Sequence, residues 1–265
     1  MKGWVFKDEL EDGVWLSWGA YYASLEAKSN TSNPVSHTAL LPLFHETSKS
    51  VAMIKHSIDV IQKAVNLLNP GQVPIICMDQ PLYAVAKQIQ WNWPPLYGEG
   101  QLVVMFGPLH IEMGALRLLG EWLDQSGWTS ALVQANVASS GIADSFLRAS
   151  HVGRTRRAHQ LTACCMFILI HAAYDQYQSS LTPEGIQLNF QDWCNQKGLE
   201  SPHFLFWYKT MNLELLVFSF ISSVRQGNFK LYVDSLTKLT PCFFCHEPWQ
   251  LCSLATRTHQ IHDII

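Results

Sequence analysis

The chain has 265 residues, of which 48% are hydrophobic and 15% are charged, and its formal net charge is −3. A chain of this length and apolar content can bury a core as one large or two small domains, which excludes an intrinsically disordered protein. The charge balance argues against a protein that binds nucleic acid by its overall electrostatics, since such domains are usually strongly basic.

The cysteines and the N-terminal residues favour an intracellular protein. The 7 cysteines form no regular disulfide framework, and the opening residues MKGWVFKDE lack the apolar stretch of a signal peptide. We therefore expect a nuclear or cytoplasmic location rather than secretion, and no membrane partner. The most apolar run, Leu161 to Tyr174, is too short to cross a bilayer and predicts a buried helix. A second run, Leu213 to Ile221, is shorter and contains Glu214.

The first regular patterns lie in residues 38–127, after an irregular, turn-rich segment at 1–37. Apolar residues at three- and four-residue steps predict a helix from Thr47 to Leu68. The apolar runs Val73 to Met78 and Leu102 to Phe106 predict two buried strands, each followed by a helical pattern. This alternation predicts a parallel pair of strands joined by a crossover helix.

Helical patterns fill the rest of the chain. The predicted helices span 130–150, 154–178, 185–197, 203–225 and 228–239, with a break at Ser139 to Gly141. We therefore expect an α/β fold in which a small, partly parallel sheet is followed by a predominantly helical region at 128–240. A diverged tail with cysteines and histidines occupies 241–265.

Three polar residues follow the predicted strands and form the first candidate site. Asp79 ends the first strand run, and His110 and Glu112 lie just beyond the second. Because the carboxyl ends of parallel strands meet at one edge of a sheet, we expect Asp79 and His110 to be neighbours. Acidic side chains at such an edge can hold Mg²⁺ or Mn²⁺ for phosphoryl chemistry. The alternative is structural, with Asp79 capping the next helix and Glu112 serving the start of the following one.

These residues also carry a resemblance to a known family. The runs Val73 to Gln80 and Val103 to Met113 resemble a group of animal transposon-derived proteins related to RNase H-like transposases, and the resemblance extends from about Trp15 to Tyr232. Mutator-type transposases show a similar order of strand, aspartate, helix, strand and histidine. The resemblance implies a small, incomplete RNase H-like sheet, with Asp79 as the counterpart of the second catalytic acid.

The chain departs from the active transposases at several positions. The first catalytic acid has no convincing counterpart, because only Asp8 and Asp12 lie near the start, and Gly107 stands where Mutator-type enzymes have a cysteine. Three residues are candidates for the last acid: Asp144, Glu200 and Asp234. We therefore expect a catalytically inactive protein that retains a role in binding protein or nucleic acid. The alternative is a metal-dependent transposase or nuclease that uses Asp79 with further acids.

An arginine-rich run before the apolar run at 161–174 is the second candidate site. It contains Arg148, Arg154, Arg156 and Arg157. Arginine binds phosphate in bidentate geometry, so one hypothesis is contact with DNA or RNA. The alternative is a solvated helix start that contributes only solubility.

The third candidate site lies in the tail, where Cys242 and Cys245 form a CxxC pair and His259 and His262 follow. Four such residues could bind Zn²⁺, although the spacing differs from that of zinc fingers, and free thiols are the alternative. Two aromatic clusters, Trp91 to Tyr97 and Phe204 to Tyr208, are expected to pack in the core. Stacking on bases or on a partner protein is their alternative role.

Overall fold

The computed structural model describes Leu40, Leu41, Leu43 and the ranges 50–180 and 187–246, with side chains up to residue 243. The chain divides into two compact units, Met1–Thr47 and Ser48–Ile265. All helices and strands given below belong to the second unit. The predicted irregular segment at 1–37 lies outside the described residues.

The α/β part begins with a helix whose start is set by a capping serine. Its elements are α1 (Val51–Leu68), β1 (Ile75–Met78), α2 (Gln80–Asn92), α3 (Pro94–Tyr97), β2 (Val103–Phe106) and α4 (Pro108–Leu123). The Ser50 side chain accepts a hydrogen bond from the Met53 N–H at 3.2 Å, so α1 starts later than Thr47. After α1 the chain turns at Gly71, whose φ of +86° is a conformation that favours glycine.

The two strands form the parallel pair that the sequence predicts. Ile75 is paired with Val103, and Met78 is paired with Phe106, so the strands run in register over their whole length. One face of the pair is buried, including Ile76, Val104 and Phe106. The crossover helix α2 packs against both strands. This is the geometry expected when two short apolar strands are joined by a helix.

After Gly127, all the regular elements of the described residues are helices. The helices are α5 (Trp128–Gln134), α6 (Ser140–Leu147), α7 (Val152–Ser180), α8 (Phe190–Glu200), α9 (Pro202–Gln226) and α10 (Phe229–His246). The predicted break at Ser139 separates α5 from α6. Gly227, with φ of +62°, ends α9 in the left-handed conformation typical of a helix C-terminus.

Helix α9 is the centre of the helical part, since it packs against α4, α7, α8 and α10. The main hydrophobic core draws residues from α1, the two strands, α2, α4, α9 and α10, with Ile58, Leu102, Leu116, Phe220 and Leu239 all fully buried. The strands and the later helices therefore share one core.

Within the described residues, α9 is also the helix that is long and apolar enough to cross a membrane. Its most apolar window is 44% buried, and four neighbouring helices pack against it. The core helix of a soluble protein has these properties, and the structure is compatible with such a protein. The intracellular location stays a prediction.

The expectation of a buried helix at Leu161 to Tyr174 is wrong for one of its faces. The helix forms, and Ile170 is buried, but Ile168 and Leu169 are 50% and 63% exposed. A continuous apolar run cannot reveal this arrangement, because it has no polar residues that mark the outward side.

Helix α10 continues past its predicted end at residue 239 and contains Pro241. Leu236, Leu239 and Phe243 recur at helical spacing and are buried in the core, while Pro241 is exposed. Core packing on one face therefore outweighs the hydrogen bond that the proline removes. As a result, the first residues of the predicted tail at 241–265 are helical.

Candidate functional site

The carboxyl edge of the two strands holds the first candidate site. The N–H of Gly107 donates a hydrogen bond to the Met78 carbonyl at 2.7 Å, which closes the strand pair at this edge. Asp79 follows β1 directly, and His110 lies in the first turn of α4, directly after β2. The strands therefore bring the chain at Asp79 and at His110 to the same edge of the sheet, as predicted.

Asp79 has a structural role at this edge. Its carboxylate accepts a hydrogen bond from the Leu82 N–H at 3.1 Å, and Pro81 lies in the first turn of the helix. An aspartate before a helix and a proline in its first turn are both favourable, because the N–H groups of that turn lack partners within the helix. The side chain is exposed to solvent. The structure therefore confirms the alternative prediction, in which Asp79 caps the helix that follows it.

The His110 ring lies 5.8 Å from the Phe106 ring, measured between centroids, in a tilted arrangement. Within the described residues, no hydrogen bond or ion pair joins His110 to Asp79. A Cβ atom placed on Gly107 would lie 3.0 Å from the Met78 carbonyl oxygen and 3.4 Å from Cδ2 of His110. A side chain at position 107, such as that of a cysteine, would therefore be crowded in this backbone.

Glu112 is buried and pairs with an arginine from the helical part. Nε of Arg156 lies 2.6 Å from Oε1 of Glu112, and the two side chains are 20% and 8% exposed. The ion pair joins α4 to α7. Glu112 was predicted to serve catalysis and Arg156 to bind nucleic acid, and in the structure each is the other's ion-pair partner.

The other candidate acids do not complete a catalytic cluster. Asp144 and Asp234 are exposed on separate helices, and Glu200 forms an ion pair with Lys197 at 2.6 Å. Across 50–180 and 187–243, no group of three or more His, Cys, Asp or Glu side chains is placed to hold a metal ion. Asp8 and Asp12 lie outside the described residues.

The remaining arginines of the second candidate site are at the surface. Arg148 lies at the end of α6, and Arg154 and Arg157 lie in the first turns of α7, all three exposed. Arg156 is the member of the run that is partly buried and paired with Glu112, and the nucleic-acid contact of the four arginines stays a prediction.

The proposed zinc residues are described only in part. Cys242 is partly buried against the main core in α10, and Cys245 lies one turn further in the same helix. His259 and His262 lie outside the described residues, so the zinc hypothesis stays a prediction.

The two aromatic clusters differ in burial. In the first, Tyr97 is buried, but Trp91 and Trp93 are 56% and 38% exposed, which corrects the expectation that this cluster packs in the core. The Tyr97 hydroxyl donates to Asp59 at 2.6 Å, and burial together with this bond raises the pKa of Tyr97 to about 12. The second cluster is partly buried, with the Phe206 ring stacked on the Trp122 ring at 5.2 Å.

The sequence analysis missed a buried pair between α7 and α9. Nδ1 of His159 lies 2.8 Å from Oε1 of Glu214, and both side chains are 0% exposed. The His159 ring stacks on Trp128 with centroids 4.6 Å apart. Two signals pointed to the pair: His159 is the last residue of the arginine-rich run, and Glu214 interrupts an apolar run.

Burial determines the protonation of this pair, because a charged group is costly to remove from water. Desolvation lowers the pKa of His159 to about 3 and raises the pKa of Glu214 well above its ordinary value. Both shifts favour a neutral histidine and a protonated glutamic acid that donates to Nδ1. Both side chains are fully buried, and their hydrogen bond joins α7 to α9.

A comparison with known protein families finds one family whose model covers most of the residues described above. The model of the Domain of unknown function (DUF8702) matches residues 17–189. The chain belongs to this family. No curated protein and no solved structure matches the chain.

The DUF8702 match includes both strands, Asp79, His110, the Glu112–Arg156 ion pair and all of α7. It ends at Asn189, the residue whose side chain caps α8. His159 is thus inside the matched range, and its partner Glu214 is outside it.

Proposed function

We propose that this DUF8702 chain is a transposon-derived, RNase H-like protein that has no nuclease activity and acts by binding another protein. The ancestry is supported by the order of strand, Asp79, crossover helix, parallel strand and His110 around one edge of a sheet. The absence of activity is supported by the acids themselves. Asp79 caps α2 and Glu112 is paired with Arg156, so the residues nearest to a nuclease site serve the fold.

The single observation that carries the proposed lack of nuclease activity is the Glu112–Arg156 ion pair. Metal-dependent phosphoryl transfer needs several carboxylates that share one or two cations. A carboxylate held 2.6 Å from a guanidinium has its charge compensated and its oxygen occupied. Among the described residues, Asp79 is then the carboxylate left at the edge, and one carboxylate is a poor cation site.

Cleavage of DNA in Mg²⁺ or Mn²⁺ tests the absence of activity. We expect no cleavage above a no-protein control. The informative variant is Asp79→Asn, because asparagine retains the helix cap but not the charge that a metal needs. Cleavage that is sensitive to a chelator and is lost in Asp79→Asn would overturn the proposal in favour of a metal-dependent nuclease.

The exposed arginines support nucleic-acid binding as a second candidate function. Arg148, Arg154 and Arg157 lie close in sequence where α7 begins, and all three are exposed. If they contact phosphates, each one replaced by alanine should reduce the salt slope of binding by about 0.9. A control that replaces Lys63, Lys209 and Lys238, which are exposed elsewhere, should leave the slope unchanged. This candidate is rejected if the protein does not shift a DNA or RNA probe in a gel, or if the shift is unchanged when the arginines are replaced.

A further inference from the structure

Helix α7 has two apolar faces, of which the fold covers one. The inner face includes the buried His159, Ala163 and Ile170 and packs against α4 and α9. We name the opposite side the outer face of α7, and its apolar residues are Leu161, Cys165, Ile168, Leu169 and Ala172, all exposed. Helices on the surface of a monomer usually present polar residues there. A contiguous apolar stripe of this kind marks an interaction surface.

The charges at the two ends of the outer face are opposite. Arg154 and Arg157 lie at its N-terminal end and Asp175 at its C-terminal end, and all are exposed. Arg157 and Asp175 are about five helical turns apart, so they point in the same direction from the helix. Neither forms an ion pair with another described residue.

This arrangement is self-complementary when the second helix runs antiparallel. In an isologous interface the contact between two residues is repeated with the subunits exchanged. If a two-fold axis crosses the interface at the level of Met166, halfway along the helix between the charged residues, Arg157 of each copy lies beside Asp175 of the other. The small Ala172 then lies near Leu161 of the other copy, and Cys165 lies close to the axis.

We propose that the outer face of α7 binds the same face of a second copy of this chain, as an antiparallel helix pair. The inference deepens the proposed function, on which it rests, by naming the bound protein. The opposite charges at the two ends distinguish this occupant from a lipid surface, for which an amphipathic helix is typically basic along its polar border. One helix pair buries a small area, so the dimer is expected to be weak.

Charge exchange tests the pairing in the full chain. Sedimentation equilibrium from about 10 to 500 μM covers the range in which a small interface associates. We expect a concentration-dependent dimer that Arg157→Asp or Asp175→Arg alone weakens at least tenfold. The double variant should restore the dimerisation constant to within about threefold of the wild type, because the ion pairs are re-formed with exchanged sides. Arg148→Asp, which is exposed but off the outer face, is the matched control.

Native cysteine cross-linking tests the position of the axis. Diamide, which oxidises two thiols to a disulfide and is itself reduced to a hydrazine, should give a covalent dimer. The cross-link should be lost in Cys165→Ser and retained in Cys77→Ser, since Cys77 is exposed on β1. Circular dichroism and thermal unfolding of each variant separate loss of association from loss of folding.

The inference is overturned if the protein is a monomer over the whole concentration range. It is also overturned if a dimer forms whose dimerisation constant is changed neither by the charge exchange nor by Leu169→Glu. Association with anionic vesicles, but not with itself, assigns the face to a membrane and also overturns it. None of these outcomes depends on cleavage of DNA, so failure of the inference is distinguishable from failure of the proposed inactivity.

Discussion

The carboxyl edge of β1 and β2 and the contact between α7 and α9 both contain an acid and a histidine, but they use them differently. At the strand edge, Asp79 is exposed and His110 half-buried, and no described hydrogen bond joins them. Between the helices, His159 and Glu214 are fully buried and hydrogen-bonded at 2.8 Å. The exposed acid resembles a catalytic residue by its position, whereas the buried pair contributes to the fold by its contacts.

The comparison teaches that a residue's position at a strand end does not determine its role. Asp79 lies at the carboxyl end of a parallel strand, where open sheets usually bind ligands, yet its carboxylate accepts a hydrogen bond from the N–H of Leu82. Glu214 has no motif around it, yet its removal would leave a polar ring nitrogen without a partner inside the protein. We therefore expect replacement of Glu214 to lower the free energy of unfolding more than replacement of Asp79, although Asp79 is the residue that looks catalytic.

The largest effect is expected at the buried pair. Glu214→Ala removes the partner of His159 Nδ1 and leaves a cavity, which should lower the free energy of unfolding by about 2 to 5 kcal/mol. Urea denaturation measures the change. The control is Glu200→Ala, because Glu200 is exposed with an exposed partner and should contribute about 1 kcal/mol or less. Equal effects of the two substitutions would contradict a structural role for the buried pair.

An intermediate effect is expected for the ion pair between α4 and α7. Glu112→Ala should lower the free energy of unfolding by about 1 to 3 kcal/mol, since it leaves the partly buried Arg156 without its carboxylate. A double-mutant cycle with Arg156→Ala isolates the coupling between the two side chains. A coupling near zero would show that Glu112 is free to serve another function, and would remove the main support for the proposed inactivity.

The pH dependence of stability gives a third test of the buried pair. The folded pair holds one proton, because the lowered pKa of His159 keeps the ring neutral and the raised pKa of Glu214 keeps its carboxyl protonated. The unfolded chain, with ordinary pKa values of 6.5 and 4.5, holds two protons below pH 4.5 and none above pH 6.5. Stability from the pair should therefore be greatest between these values and fall on both sides, with slopes approaching about 1.4 kcal/mol per pH unit.

The matched variant for the pH profile is Glu214→Gln, whose amide donates to Nδ1 but does not titrate. Above pH 6.5 the folded variant holds no extra proton, so the loss of stability with rising pH should disappear. Below pH 6.5 the unfolded histidine still takes up a proton, so stability should fall as the pH is lowered. Parallel profiles for the two proteins above pH 6.5 would exclude a protonated Glu214.

Local signals predicted much of the fold. The strand runs and the turn residues located β1, β2 and the breaks at Gly71 and Gly227 to within a few residues, because these depend on short-range backbone preferences. The parallel pairing followed from the helix between the strands. The extension of α10 through Pro241 could not be predicted, because it depends on distant core residues that receive Phe243.

The sequence predicted where the candidate site lies, but not which side chains contact each other there. Asp79 and His110 were placed at one edge from their order in the chain, whereas the pairing of Glu112 with Arg156 joins residues far apart in sequence. The same holds for His159 and Glu214, and for the exposed side of α7. Each depends on which helices are neighbours, and apolar periodicity alone does not supply that information.

The smallest effect is expected at Asp79, the residue most like a catalytic acid. Asp79→Ala removes the side chain that caps α2 and should lower the free energy of unfolding by about 1 kcal/mol, while Asp79→Asn should change it little. Urea denaturation of the three proteins measures the order wild type, Asn, Ala. If Asn and Ala were equally destabilising, the negative charge of Asp79 at the helix N-terminus, and not the hydrogen bond of the cap, would be the stabilising feature. If neither changed stability, the bond to Leu82 would contribute nothing, and Asp79 would be available for chemistry.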